Sequence, residues 1–251
     1  MATAPKQHLM TDGLILREYE TPSEADRFVA ILTRDRGLVR ASARGAKRPK
    51  SRFGSSTQPL CYSRLSLIPG RDKYVVEDAQ PNEVFFALRQ DMERLALGQY
   101  FCELALQLCP TDTAAPQHLR LLLSGLHYLA EGKKHPLLIK AVVEGRLLSL
   151  EGYMPDLTGC ALCGQQETPL WFSPTSGTLF CSNHAGQGDA IQVTAGVLSA
   201  LRHVLYGEFE RCFAFSLPEE DVALLATLME RFLLAQTQHR FATLDFYHTL
   251  R

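Results

Sequence analysis

The 251-residue sequence has no GxxxxGK[ST] phosphate loop, no GxGxxG turn, no GxSxG elbow and no HExxH pair. The local frames that cradle a nucleotide, raise a nucleophilic serine or hold a hydrolytic metal are therefore missing, and no enzymatic activity is expected. Eight histidines are present, but His118, His127, His203 and His239 are scattered over apolar helical patterns without the carboxylate spacing of a catalytic site. No stretch approaches the eighteen apolar residues of a membrane span, and residues 1–10 lack the apolar core of a signal peptide, so a cytoplasmic protein with no membrane partner is expected. Seven cysteines, an odd number, suit reduced thiols better than a disulfide scaffold.

Net charge is also nearly absent, at −1, but it hides a split. Residues 1–80 carry fourteen Lys/Arg against nine Asp/Glu, and residues 81–251 carry twelve against eighteen. A basic end facing a polyanion, attached to an acidic body with other duties, is the arrangement this implies.

The basic end reads as strands: Leu14 to Tyr19, Arg27 to Thr33, Leu38 to Ala43, Leu60 to Ile68 and Tyr74 to Glu77. Five short strands, with turns at Thr33–Gly37 and Pro69–Asp72, match an OB barrel, with a small SH3-like barrel as the alternative that periodicity does not separate. Between strands three and four lies the most basic segment. From Arg34 to Arg52 there are eight cations (Arg34, Arg36, Arg40, Arg44, Lys47, Arg48, Lys50 and Arg52) against one acid, Asp35. Gly45, Pro49 and Gly54 forbid a long helix, so an exposed loop with cations available to phosphates is expected. Eight cations cannot all stay in register with one backbone, so roughly four to six are expected to engage. Arg27, Arg64, Arg71 and Lys73 are neighbouring cations that extend the footprint, and Phe53, Tyr62 and Tyr74 are the aromatic candidates beside it.

After Pro81 the pattern turns helical, with Val84, Leu88, Met92, Leu95, Tyr100, Leu104 and Leu108 at helix-compatible intervals. Pro116 and Pro136 stand where first-turn prolines open helices, Gly152 closes the second, and Thr194 caps a helix to about Tyr206. Ser216-Leu217-Pro218-Glu219 reads as a capping box opening the next. Lys133, Lys134 and Lys140 form a cation group near the helix opened by Pro136.

Cys160 and Cys163 are followed, after seventeen residues, by Cys181 and His184. Two close ligand pairs separated by a loop let thiolates and an imidazole converge tetrahedrally, which predicts one structural zinc per chain with no coordination position left for chemistry. Gly164 supplies the left-handed turn such a pair needs, and Trp171, Phe172, Leu179 and Phe180 alternate around Pro174–Gly177 as a hairpin delivering the second pair. A zinc deaminase would need an HxE upstream, and the sequence has none.

The fold class expected is α+β and multidomain: an N-terminal OB-fold barrel over 1–80, a helical domain over 81–155 and 187–251, and a zinc-finger module inserted at 156–186. This order of parts resembles the RecO family of bacterial recombination mediators. The resemblance rests on Ala43-Arg44-Gly45-Ala46-Lys47-Arg48-Pro49-Lys50-Ser51-Arg52-Phe53, on the helix from Leu88 to Leu95 leading to Tyr100 and Glu103-Leu104, and on Gly152-Tyr153-Met154-Pro155 entering the cysteine pair. His184 departs from the fourth cysteine of many relatives. The resemblance implies binding of single- and double-stranded DNA, strand annealing without ATP, and action with RecR to load RecA onto strands covered by single-strand-binding protein, whose acidic tail the group Lys133, Lys134 and Lys140 is a candidate to receive. A competing reading is a zinc-containing adaptor associated with transcription or the ribosome. Against it, no Lys or Arg lies between Cys160 and His184, so that module has no phosphate footprint of its own.

Overall fold

The computed structural model describes residues 8–186 and 188–251. Residues 1–7, part of the segment read above for a leader, and Gln187 lie outside them. The chain forms two compact units, residues 1–131 together with 241–251, and residues 132–240.

In the first unit, β1 (Leu9–Tyr19), β2 (Arg27–Thr33), β3 (Gly37–Ala43), β4 (Cys61–Pro69) and β5 (Tyr74–Val84) close into a barrel of order β1-β2-β3-β5-β4. Antiparallel β1–β4 pairing and a short parallel contact, Ala41 with Tyr74 and Ser42 with Val75, complete the ring. That order, with its parallel β3–β5 closure, is OB-like and resolves the choice between small barrels left open by strand count. Inside, Ile15, Val29, Ile31, Val39, Ala41, Leu65, Leu67 and Val76 pack with Phe53 from the β3–β4 loop. Because strand residues alternate between faces, the intervening positions Phe28, Ala30, Arg40 and Ser42 point outward.

Two expectations change here. Pro81 does not end strand structure: β5 runs on to Val84, with Pro81 beside the bulge between Tyr62 and Ser63, where a residue without an N–H is tolerated. The helix read from Val84 is interrupted. A 3₁₀ turn over Phe86–Gln90 precedes α1 (Met92–Leu108), because Asp91 is extended at φ −133° and caps α1 by accepting from the Arg94 N–H. The unit continues with α2 (Pro116–Glu131), opened by its first-turn proline as expected.

In the second unit, α3 (Pro136–Leu150) is buried on nearly every side and packs against two later helices. Between them stand β6 (Asp156–Cys160), β7 (Leu170–Ser173), β8 (Thr178–Cys181) and β9 (Ile191–Val193), a sheet of order β6-β8-β7-β9. The β7–β8 hairpin pairs Trp171 with Phe180 and Phe172 with Leu179, as their alternation predicts. The Thr194 hydroxyl accepts from the Val197 N–H and caps α4 (Ala195–Tyr206). The Arg146 guanidinium donates to the carbonyls of Val204, Leu205 and Gly207, satisfying the far end of α4. At α5 (Glu219–Thr237) the capping box fails: Pro218 is the N-cap with no side-chain bond, and three acids in the first turn, Glu219, Glu220 and Asp221, meet the helix dipole instead. The last helix, α6 (Ala242–Thr249), belongs to the first unit, where Phe241 meets Tyr100 edge-on at 5.8 Å and the Tyr247 hydroxyl donates to Glu93.

The lysine group proposed as a tail receptor is corrected by α3. Lys140 is 0% exposed, with its ammonium 2.8 Å from Glu144 and 2.7 Å from Glu230. A lysine enclosed between two carboxylates presents no charge to a partner.

Candidate nucleic-acid interface and metal-ligand cluster

All eight predicted phosphate-facing cations are exposed, but the barrel does not gather them into one patch. Arg34 and Arg36 sit on the β2–β3 turn, where Gly37 adopts φ +58° and a Cβ would lie 2.2 Å from the Pro110 carbonyl oxygen, so the position requires glycine. Arg44, Lys47, Arg48, Lys50 and Arg52 sit at the opposite end of β3, roughly 25 Å away at strand rise per residue, with Arg40 on the outer face between them. The cations form a row along one strand. Arg34 is partly neutralised by Asp35 and Asp12, at 3.2 and 3.7 Å, so the loop end is the more positive.

The β3–β4 loop is exposed at its cations and pinned beneath them. Ala46 and Phe53 are buried, and Ser56 and Thr57 are 0% exposed. Arg27, proposed above as part of the footprint, serves as the pin. It is 8% exposed, its Nε is 2.7 Å from Glu18, and its Nη1 donates to the Gly54 carbonyl and the Thr57 hydroxyl at 2.7 and 2.9 Å. Lys47 reaches the same Glu18 at 2.7 Å. The Asp26 carboxylate accepts from the Gly45 N–H at 2.7 Å; that bond, the Ser23 hydroxyl and the charges of Arg44 and Arg48 hold its pKa below the ordinary value. Replacing Arg27 with glutamine should cost about 1–3 kcal/mol by leaving buried acceptors unpaired and should open the loop to limited proteolysis. Urea unfolding and a timed digest check both.

Of the aromatic candidates, Phe53 belongs to the core and Tyr74 packs against it. Tyr62 is half-buried, and neighbouring groups raise its pKa, burial first and then the Asp12 charge. Two further aromatics on the outer face are Tyr19 and Phe28, which sequence reading passed over. A bulge between Ile15 and Arg17 shifts the alternation of β1, so Tyr19, which strict alternation places inward with Ile15, turns outward beside Phe28. Their ring centroids are 5.6 Å apart.

In the second unit, Cys160, Cys163, Cys181 and His184 place their ligand atoms within 4.8 Å of one another. Cys160 ends β6 and Cys181 ends β8, and each second ligand follows in a tight turn closed by Gly164 N–H to Cys160 O and His184 N–H to Cys181 O. Gly164 takes φ +75°, as the turn requires. His184 Nδ1 lies 3.5 Å from Cys160 Sγ and 3.2 Å from Cys181 Sγ, and Cys163 Sγ lies 3.7 Å from Cys181 Sγ. A tetrahedral ion with bonds of ~2.3 Å to sulfur and ~2.0 Å to nitrogen spaces its ligands by roughly 3.5–3.8 Å, so the cluster fits one. The thiols are divided electrostatically. Desolvation raises the Cys160 pKa, but the N–H groups of Leu162, Cys181 and Cys163 and the His184 ring bring it down to about 6. For Cys163 the Gln165 N–H favours the thiolate, yet desolvation and the sulfurs of Cys160 and Cys181 win and raise it. A cation at the centre removes that mutual repulsion.

An OB-like barrel with a row of exposed cations, followed in one chain by a helical unit holding a Cys3His cluster, defines an α+β protein of two compact units. Comparison with known families gives the particular one. The model for Recombination protein O N terminal matches residues 7–85 and that for Recombination protein O C terminal matches residues 89–245. DNA repair protein RecO of Acetivibrio thermocellus is 32% identical over 248 residues, 97% of each chain. RecO of Symbiobacterium thermophilum is 33% identical over 96% of each, and RecO of Desulforudis audaxviator 44% identical over 68% of each. The chain belongs to the RecO family, whose role lies in DNA repair and recombination.

Proposed function

We propose that this protein is a non-catalytic recombination mediator that binds single- and double-stranded DNA, anneals complementary strands without ATP, and helps RecR load RecA in the cytoplasm onto strands coated by single-strand-binding protein. The observation that carries the reading is the exposed cation row along β3, ending in the pinned loop from Arg44 to Arg52. Phosphate contacts neutralise both strands and lower the repulsion opposing their approach, while base pairing supplies the sequence recognition. In this reading residues 1–80 are the DNA-binding module, 156–186 a zinc module held by Cys160, Cys163, Cys181 and His184, and 81–155 with 187–251 the body that meets protein partners. Among the described residues no helix is long and apolar enough to cross a membrane. Mixing complementary strands with the purified protein should accelerate duplex formation by at least about tenfold at low salt, equally with and without ATP. No acceleration, or a requirement for ATP, overturns the reading; DNA binding lost on disrupting the zinc module but kept in loop variants favours the adaptor alternative.

A further inference from the structure

The cations of the barrel account for phosphates, but they leave its outer aromatic pair unexplained. Tyr19 and Phe28 are cross-strand partners on β1 and β2, half-buried, with rings tilted 41° to each other. Each carries a cation over its face: Arg40 lies 5.5 Å from the Tyr19 centroid and Lys73 4.5 Å from the Phe28 centroid. In the next row of the sheet Arg17, Ala30 and Arg40 are in register, so a small residue lies low between two arginines. Beside this floor opens a cleft of ≈ 580 Å³, lined by Tyr19, Ala30 and the four cations Arg17, Arg40, Arg71 and Lys73, with only two acids, Asp72 and Asp112, on its wall.

We propose that this face is a stacking site for unpaired nucleobases, in which Tyr19 and Phe28 take bases on their exposed faces while Arg40 and Lys73 swing aside onto the flanking phosphates. The proposal rests on the DNA-binding reading above and adds strand selectivity to it. An aromatic ring face interacts with the face of a base, and in a duplex those faces are covered by the neighbouring pairs, so only a single strand gains from the site. The cations suit both states: over the bare ring they are held by its quadrupole, and beside a bound strand they meet phosphate. The cleft's excess of positive charge fits a phosphate-linked ligand and disfavours an acidic lid from the chain itself.

The test uses the full chain carrying Tyr19→Leu and Phe28→Leu together, with three probes: oligo-dT, an abasic deoxyribose-phosphate strand of the same length, and a duplex. Affinity for oligo-dT should fall by about tenfold or more, with an unchanged salt slope, while the abasic strand and the duplex bind within about twofold of the original protein. Equal loss on the abasic strand, or no loss on oligo-dT, overturns the proposal. Should the leucine pair disturb folding, Tyr19→Trp and Phe28→Trp serve instead. Each should retain oligo-dT affinity and add a fluorescence component quenched by oligo-dT and untouched by duplex; absence of that quenching also overturns it. Loop variants keep the two readings apart: if loop charge reversal abolishes binding while the ring variants change nothing, the DNA reading stands and the stacking site falls.

Discussion

Reversing Arg44, Lys47 and Arg48 to glutamate is expected to weaken binding to every DNA substrate by roughly a thousandfold at physiological salt. Three phosphate contacts disappear and three repulsive charges replace them, in a loop whose backbone is held from beneath by Arg27 and Asp26 and therefore stays in place. The slope of log affinity against log salt should flatten by about 2 to 3, because each lost contact removes its share of counterion release. Sequence preference should not change, since phosphates carry none. The loss of Lys47 also frees Glu18, which the Arg27 guanidinium still neutralises, so thermal unfolding should move little. Titrations at two salt concentrations, with metal content and melting as controls, decide the matter; undiminished affinity ends the loop model.

Removing the ligands of the Cys3His cluster should have the largest effect on stability. Substituting Cys160 and Cys163 by alanine, or stripping the metal with a chelator, is expected to forfeit metal-binding free energy on the order of 10 kcal/mol, the scale seen when structural zinc organises small peptides. The strand that carries the first ligand pair is the weakly held one: β6 meets β8 through two registered pairs, Asp156 with Thr178 and Cys160 with Leu179, one of them at a ligand. Solubility and the melting of residues 132–240 should drop, and oligonucleotide affinity should persist as long as the barrel is intact. Metal analysis should return one zinc per chain in protein never exposed to chelator; well under one overturns the assignment.

Local chemistry made much of this legible in sequence. Pro116, Pro136 and Thr194 mark helix starts because a fixed φ or a side-chain cap acts within one turn, and the ligand pairs of the cluster lie on two short turns whose spacing is visible in the chain. What escaped was set by partners far away in sequence or by irregular backbone. Lys140 looks like a surface charge until Glu230, on another helix, is known to enclose it. Tyr19 looks like core until the bulge after Ile15 is known to turn it outward. β6, β9 and α6 are too short to show a period, and the capping box at Ser216 failed because a proline inside it took the N-cap position.

The division of the chain has a consequence for biosynthesis. The unit that begins with the barrel is finished by residues 241–251, which follow the whole of the other unit in sequence. Phe241 and Tyr247, at 1% and 0% exposure, fill a space against α1 that stays open until α6 leaves the ribosome. A chain made only as far as residue 240 therefore displays the barrel's cations on a unit with an unsealed apolar seam. Synthesis of residues 241–251 is therefore the step that seals the barrel-bearing unit, long after its strands have been made.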